Sequence, residues 1–143
     1  MLVIDDVTAG YGDFTALRNA SIEVKAGEAV AVIGPNGAGK STLMRAISGM
    51  IPLKGGSITM EGQSISSIPA HKIVETGIAH VPENRRLFAR MSVEENLRVG
   101  CYAKPFRAAF DTRLEFVYEL FPRMKERRTQ LAGTMSGGEQ QMC

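Results

Sequence analysis

A glycine-rich stretch near the N-terminus carries the clearest chemistry in this sequence. Residues 34–42 read GPNGAGKST, with the G-x-x-x-x-G-K-[ST] spacing of a loop that wraps its backbone around nucleotide phosphates. The glycines let successive N–H groups point into one concavity, and a following helix adds the positive end of its dipole. We expect Lys40 to contact the β- and γ-phosphates, Ser41 to coordinate Mg²⁺, and Thr42 to meet the α-phosphate.

Such a loop needs a strand before it and a helix after it. Residues 28–33 read EAVAVI, an apolar run typical of a parallel strand buried on both faces. Residues 41–48 have a helical composition, and Gly49 follows where left-handed backbone ends a helix. The sequence therefore predicts a strand, a phosphate-binding loop and a helix in direct succession.

The remainder of the first half is predicted to be mostly sheet. Three strands and one turn are expected, at residues 2–8, 21–24 and 56–60 and at Glu61-Gly62. A short helix over about 69–75 should close at Gly77, and residues 77–81 read as another buried strand that Pro82 stops.

The second half has a helical character. Residues 92–95 read SVEE, a capping box that opens a helix through Val99. A longer helix is expected over about 107–121, ending before Pro122. Its apolar stripe comprises Phe110, Leu114, Val117 and Phe121.

A second capping box, SGGE at 136–139, lies near the C-terminus. Two bare glycines at a helix start leave N–H groups uncovered for an anion. On these four residues alone, an ordinary capped turn is an equal alternative. The combination with the phosphate loop favours anion contact.

Composition restricts the class of protein. A hydrophobic content of 44% with 22% charged residues is that of a soluble globular domain. No apolar run approaches the roughly 20 residues of a membrane span, so we expect a cytoplasmic location. The formal charge of +2 is too small to indicate a nucleic-acid surface, and no nucleic-acid partner is expected.

The motifs together resemble the ATP-binding subunits of ABC transporters, in which a Walker A loop is followed by a Q-loop, a helical subdomain and an LSGGQ signature. The resemblance covers the whole chain. It is most similar to the ATPase subunits of branched-chain amino acid importers, through VPENRRLF at 81–88, MSVEENL at 91–97 and GTMSGGEQQ at 133–141.

The resemblance implies roles for individual residues, with ATP and Mg²⁺ as cofactors. Tyr11 matches the aromatic residue that stacks on adenine; a half-buried strand-end tyrosine is the alternative. The Walker A contacts match Asn36, Gly37, Ala38, Gly39, Lys40, Ser41 and Thr42. Glu83 stands at the Q-loop glutamine position, where its carboxylate can face Mg²⁺ together with Ser41, or be a surface glutamate.

The signature segment implies a partner. Ser136, Gly137 and Gly138 match the residues that close over the γ-phosphate bound by the opposite subunit, with Met135 and Glu139 as departures from the common motif. The active unit implied is a head-to-tail dimer, in branched-chain systems a pair of two different ATPase subunits on two membrane permease subunits. The protein is then peripheral on the inner face of the plasma membrane.

The implied fold class is α/β, an incomplete ABC-type P-loop NTPase nucleotide-binding domain with a mixed sheet core and a helical subdomain. We expect a strand-rich core at 1–83, a helical subdomain at 84–135, and the signature with its helix start at 136–143. No Walker B strand or switch histidine is identified, so no catalytic set is complete and we expect little ATP hydrolysis by these residues alone. The alternatives are a truncated, non-hydrolysing nucleotide-binding remnant and a non-transport ABC-type protein.

Overall fold

The computed structural model describes all 143 residues. The chain forms two compact units, Met1–His80 and Val81–Cys143. Each unit encloses its own cluster of buried apolar side chains. No helix is long and apolar enough to cross a membrane.

The first unit is built on a four-stranded antiparallel sheet with the order β2-β1-β3-β4. Its strands are β1 (Leu2–Tyr11), β2 (Phe14–Val24), β3 (Leu53–Met60) and β4 (Gln63–Ser64). The predicted turn between β3 and β4 is confirmed. Glu61 and Gly62 both have positive φ, at 50° and 77°, as a two-residue hairpin turn requires when its twist matches that of the strands. The predicted strands are present and longer than expected.

A bulge in β1 sets which side chains enter the core. Asp6 has φ of 50°, and the pairing with β2 shifts register between Ile4 and Val7. Asn19 opposite it also has positive φ, 47°, and its Nδ2 donates to Asp6 Oδ1 at 2.7 Å. Side chains alternate between the two faces of a strand, so residues three apart normally point to opposite faces. The bulge inserts one extra residue between Ile4 and Val7, and both can therefore be buried on the same face.

The same bulge brings β1 unusually close to β3. Gly56 has φ of +77°, and a Cβ built there would lie 2.4 Å from the carbonyl oxygens of Asp5 and Asp6. Only a residue without a side chain can occupy this position. The neighbouring Gly55 has no such restriction, since its Cβ would lie 3.8 Å from Thr8 Cβ.

One helix and one helical turn cover the sheet. The predicted helix after the phosphate loop is confirmed as α1 (Lys40–Ile47), which buries Thr42, Leu43, Ala46 and Ile47 and is followed by Gly49 with φ of 65°. The predicted short helix is confirmed as α2 (Ala70–Ile73), continued by a 3₁₀ turn, Val74–Thr76, and closed by Gly77 with φ of 91°.

Two predicted strands are wrong. Residues 28–33 and 77–81 have no strand structure, and neither segment belongs to the four-stranded sheet. Apolar side chains remain exposed there, with Ile33 at 90% and Val81 at 76%. An apolar run becomes a strand only when a neighbour pairs with its N–H and C=O groups, and no strand of this chain pairs with either segment.

The second unit is helical, as predicted. It contains α3 (Val93–Gly100), α4 (Phe110–Leu120), α5 (Pro122–Glu126), α6 (Gly137–Met142) and two 3₁₀ segments, Lys104–Ala109 and Ala132–Thr134. Both predicted capping boxes are present: Ser92 with Glu95 opens α3, and Ser136 with Glu139 opens α6. The buried core comprises Val93, Tyr118, Met124, Ala132 and Met135.

The long helix predicted over 107–121 requires correction. Residues 104–109 form a 3₁₀ segment, and α4 starts at Phe110. Tyr118 is buried in place of Phe121, which is 37% exposed. Pro122 does not only end a helix: it occupies the first turn of α5, where its missing N–H costs nothing.

Candidate nucleotide-binding site

The phosphate loop of the first unit has the backbone that its glycines predict. Gly37 and Gly39 have φ of 85° and 90°, in the left-handed region. Gly39 is buried against β2, because a Cβ built there would lie 2.9 Å from the Ala16 carbonyl oxygen. The first β-hairpin therefore fixes the point at which the loop becomes α1.

The start of α1 is open to an anion. Its N-cap, Gly39, provides no side-chain hydrogen bond, and no acidic residue lies in its first turn. The first N–H groups of a helix have no partner within the helix, and the dipole makes this end positive. The site can therefore donate several backbone hydrogen bonds to a phosphate.

Lys40 lies folded back over this loop. Its Nζ donates to the carbonyl oxygens of Gly34 and Pro35, both at 2.8 Å. These two bonds hold the ammonium group against the first two residues of the loop. A phosphate in the concavity would compete for that ammonium group, and charge-assisted hydrogen bonds to phosphate are stronger than those to neutral carbonyls.

Ser41 and Thr42 have different surroundings. Ser41 is exposed in the first turn of α1, so its hydroxyl is available to an ion. Thr42 is only 6% exposed and lies beside the phenol of Tyr11, which is 42% exposed at the end of β1. The structure thus brings Tyr11 close to α1, the helix that begins at the phosphate loop.

Tyr11 has a polar partner that the sequence did not reveal. Arg45 Nη1 donates to the Tyr11 hydroxyl oxygen at 2.7 Å. The Thr42 hydroxyl and the Arg45 guanidinium beside the phenol hold the pKa of Tyr11 below its usual range. In the sequence Arg45 is one basic residue among many on a helix, and the only available signal is its spacing of three from Thr42, which places both on one face.

The glycines of the loop offer a matched pair of substitutions. Gly39→Ala and Gly37→Ala should each cost about 1 kcal/mol of unfolding free energy, because both positions have positive φ. We expect Gly39→Ala to cost at least about 1 kcal/mol more, since its Cβ meets the β2 backbone, whereas nothing lies within 4 Å of one at Gly37. Urea unfolding followed by circular dichroism compares the two; equal losses would contradict the close packing of Gly39.

The second unit contains the other predicted site residues. Ser136 Oγ donates to Glu139 Oε2 at 2.8 Å, and the same carboxylate oxygen accepts from the Ser136 N–H at 3.0 Å. Arg85 lies over the helix start, because a Cβ on Gly137 would lie 2.6 Å from Arg85 Nη1. Gly138 has open space around it. Arg85 is a further residue that the sequence did not single out.

Glu83 lies in the same unit as the signature segment. It is exposed and lines an open depression of about 440 Å³ with Asn84, Arg85, Gln140 and Gln141. The loop that carries it is attached to α3 by buried Asn96, whose Oδ1 accepts from the Phe88 N–H at 2.8 Å. No three His, Cys, Asp or Glu side chains are grouped to hold a metal ion. A role for Glu83 toward Mg²⁺ stays a prediction.

The carboxylate that caps α6 is held in its charged form. Hydrogen bonds from the Ser136 hydroxyl and N–H, with Arg127 Nε at 3.0 Å, keep the pKa of Glu139 below its ordinary value of 4.5. Its side chain is 17% exposed. Glu139 thus stabilises the signature segment, although it departs from the glutamine of the common motif.

We expect the second unit to lose stability in acid through this group. A carboxyl with a lowered folded-state pKa stabilises the fold fully above its ordinary pKa, and the stabilisation disappears as the pH falls through the folded-state value. Glu139→Gln should therefore lower the free energy of unfolding at neutral pH. Below about pH 4.5, the free energy of unfolding of this variant should fall less steeply with decreasing pH than that of the wild type. Urea titrations at stepped pH measure both; an unchanged pH slope would exclude Glu139 as the responsible group.

Comparison with known proteins agrees with these features. A family model described as ABC transporter matches residues 17–143. The high-affinity branched-chain amino acid transport ATP-binding protein BraG of Pseudomonas aeruginosa is 49% identical over 142 residues, which are 99% of this chain and 60% of that relative. The probable branched-chain amino acid transport ATP-binding protein LivF of Archaeoglobus fulgidus is 36% identical over the same shares.

A solved structure agrees as well. The ATP-binding subunit of an ABC transporter superimposes with a TM-score of 0.81 at 29% identity, over 99% of this chain and 58% of that one. The chain thus spans about 60% of the length of the curated relatives it matches. The resemblance read from the sequence is confirmed, together with the fold class. The chain belongs to the ABC transporter family and has the fold of an ABC-type P-loop nucleotide-binding domain.

Proposed function

We propose that this chain is part of the ATP-binding subunit of an ABC importer for branched-chain amino acids, and that it couples ATP binding and hydrolysis to transport. The observation that carries the proposal is the order of its sites: an uncapped phosphate loop at the start of α1, then a helical unit ending in a glycine-rich capped segment. The 49% identity to BraG over nearly the whole chain supports the substrate class.

The residues fit an ATP–Mg²⁺ complex at the phosphate loop. The uncapped N–H groups and Lys40 would hold the phosphates, the exposed Ser41 hydroxyl would contact Mg²⁺, and Tyr11 would stack on adenine. Bound ATP supplies the phosphoanhydride bond whose hydrolysis drives transport. Asn36, Gly37, Ala38 and Gly39 would provide the backbone that surrounds the phosphates, and Thr42 would meet the α-phosphate.

The second unit would act on a partner. Ser136, Gly137 and Gly138 would contact the γ-phosphate bound by another ATP-binding subunit in a head-to-tail pair, and Arg85 adds positive charge at the same helix start. Glu83 would face Mg²⁺ from the Q-loop position. We propose functional boundaries of 1–83 for the nucleotide-binding core, 84–135 for the helical subdomain and 136–143 for the signature.

The proposed assembly places the protein at the inner face of the membrane. Two ATP-binding subunits would bind to membrane permease subunits, which contact the transported solute. We propose that the two ATP-binding subunits are different chains. Under this proposal the ATP-binding subunit contacts the permease and not the transported solute. The solute therefore has to be tested by transport and not by binding to this chain.

Uptake in the source organism tests the proposal. Deleting the gene that encodes this chain should abolish high-affinity uptake of labelled leucine, isoleucine and valine, and uptake of an unrelated sugar should be unchanged. The wild-type gene should restore uptake. If uptake of another solute is lost instead, the substrate class is wrong; if no uptake changes, the transport role itself is refuted.

A further inference from the structure

Tyr11 lacks the packing that would fix an aromatic platform. It is the last residue of β1, pairs with Phe14 across the hairpin turn, and is flanked by Gly12 with φ of 51°. Its side chain is 42% exposed and Phe14 is 68% exposed, so no apolar core holds the ring. A tyrosine in such a position needs some other contact to favour one rotamer.

Arg45 provides that contact from the hydroxyl end of the ring. Its Nη1 donates to the phenol oxygen at 2.7 Å, whereas its guanidinium carbon lies 5.9 Å from the ring centroid, near the outer limit of a cation–π contact. By comparison, the guanidinium carbon of Arg98 lies over the face of Phe110, 4.1 Å from the centroid of the Phe110 ring. Arg45 therefore binds the edge of Tyr11 and leaves the ring faces accessible.

The helix that carries Arg45 is the one that begins at the phosphate loop. Thr42 and Arg45 are three residues apart on one face of α1, and both lie beside the phenol. Gly39 at the start of α1 also packs against Ala16 and Leu17 of β2. Ring and loop are thus fixed to one another through a single short helix.

We infer that Arg45 is a positioning residue for nucleotide binding: its hydrogen bond to the Tyr11 hydroxyl holds the ring as the platform for the base of a nucleotide whose phosphates occupy the loop. The inference rests on the proposed nucleotide-binding function. A structural alternative is that Arg45 only stabilises the C-terminal turn of α1, where a cation is favourable.

Comparing ATP with inorganic tripolyphosphate separates these roles. Calorimetric titration of the whole chain in the presence of Mg²⁺ should show that Arg45→Leu binds ATP about three- to tenfold more weakly and binds tripolyphosphate as the wild type does. Arg18→Leu is the matched control, since it removes the same charge from an exposed position on β2. It should leave both affinities unchanged.

A second substitution tests the hydrogen bond itself. Tyr11→Phe keeps the ring and removes the acceptor, so it should weaken ATP binding as much as Arg45→Leu does, and the double variant should be no weaker than either single one. Thermal unfolding of each variant verifies that it folds. In Arg45→Leu the pKa of Tyr11 should also rise toward its usual range, which tyrosinate absorbance measures against Tyr11→Phe.

The outcomes distinguish the inference from the function on which it rests. If the wild type binds neither ATP nor tripolyphosphate, the nucleotide-binding function fails. Equal losses of ATP and tripolyphosphate affinity in Arg45→Leu would overturn the inference, because Arg45 would then act on the phosphates. Unchanged ATP affinity in a folded Arg45→Leu, or additive losses in the double variant, would overturn it as well.

Discussion

Replacing Lys40 with alanine should weaken ATP binding by about 10- to 100-fold. A charge-assisted hydrogen bond of about 1.5–3 kcal/mol is lost, and each 1.4 kcal/mol corresponds to a factor of ten in affinity. The variant also loses the two bonds from Nζ to the carbonyl oxygens of Gly34 and Pro35, so the loop should become less ordered. Calorimetric titration with ATP and Mg²⁺ measures the change.

Lys25 provides the control for this experiment. It is an exposed lysine of the same unit, directly after β2, and Lys25→Ala removes the same charge. That variant should bind ATP with about the wild-type affinity. The affinity of Lys40→Ala should also depend less on salt concentration, because one ionic contact fewer is made. Equal affinities of the two variants would refute the assignment of Lys40 to the phosphates.

Gly56→Ala should strongly destabilise the first unit. The new Cβ would lie 2.4 Å from two carbonyl oxygens of β1, and the backbone at this position has φ of +77°. Backbone atoms cannot move aside as the end of a flexible side chain can, so β1 and β3 would have to separate. We expect a loss of at least about 3 kcal/mol, a large fraction of the 5–15 kcal/mol that stabilises a typical domain.

The adjacent glycine makes the test specific. Gly55→Ala places a Cβ 3.8 Å from Thr8 Cβ, an ordinary contact, and its unfolding free energy should change by no more than about 0.5 kcal/mol. Far-ultraviolet circular dichroism, which reports strand content, and urea unfolding, which gives the free energy of unfolding, measure the difference between the two variants. Similar stability of both would show that the β1 bulge accommodates a side chain, contrary to its geometry.

The sequence predicted those features that depend on residues near one another in the chain. The helix after Lys40 and both capping boxes follow from local chemistry. The hairpin turn at Glu61-Gly62 does so as well. These predictions are confirmed because no distant neighbour is needed to satisfy their hydrogen bonds.

Features that depend on distant neighbours were missed. Residues 28–33 have the composition of a buried strand, but no strand of this chain pairs with them. The β1 bulge joins two polar residues, Asp6 and Asn19, that are thirteen positions apart. Arg45 and Arg85 resemble the other basic residues in the sequence, and only their contacts with Tyr11 and Gly137 distinguish them.

The core of the first unit has a consequence for synthesis on the ribosome. Its buried side chains run from Ile4 to Ile73, and the last apolar residue packed against them is Ile78. Because ribosomes add about 5–20 residues per second, several seconds pass between the synthesis of Ile78 and that of Cys143. A nascent chain can therefore form its phosphate loop, and meet cellular ATP, before its signature segment has been translated.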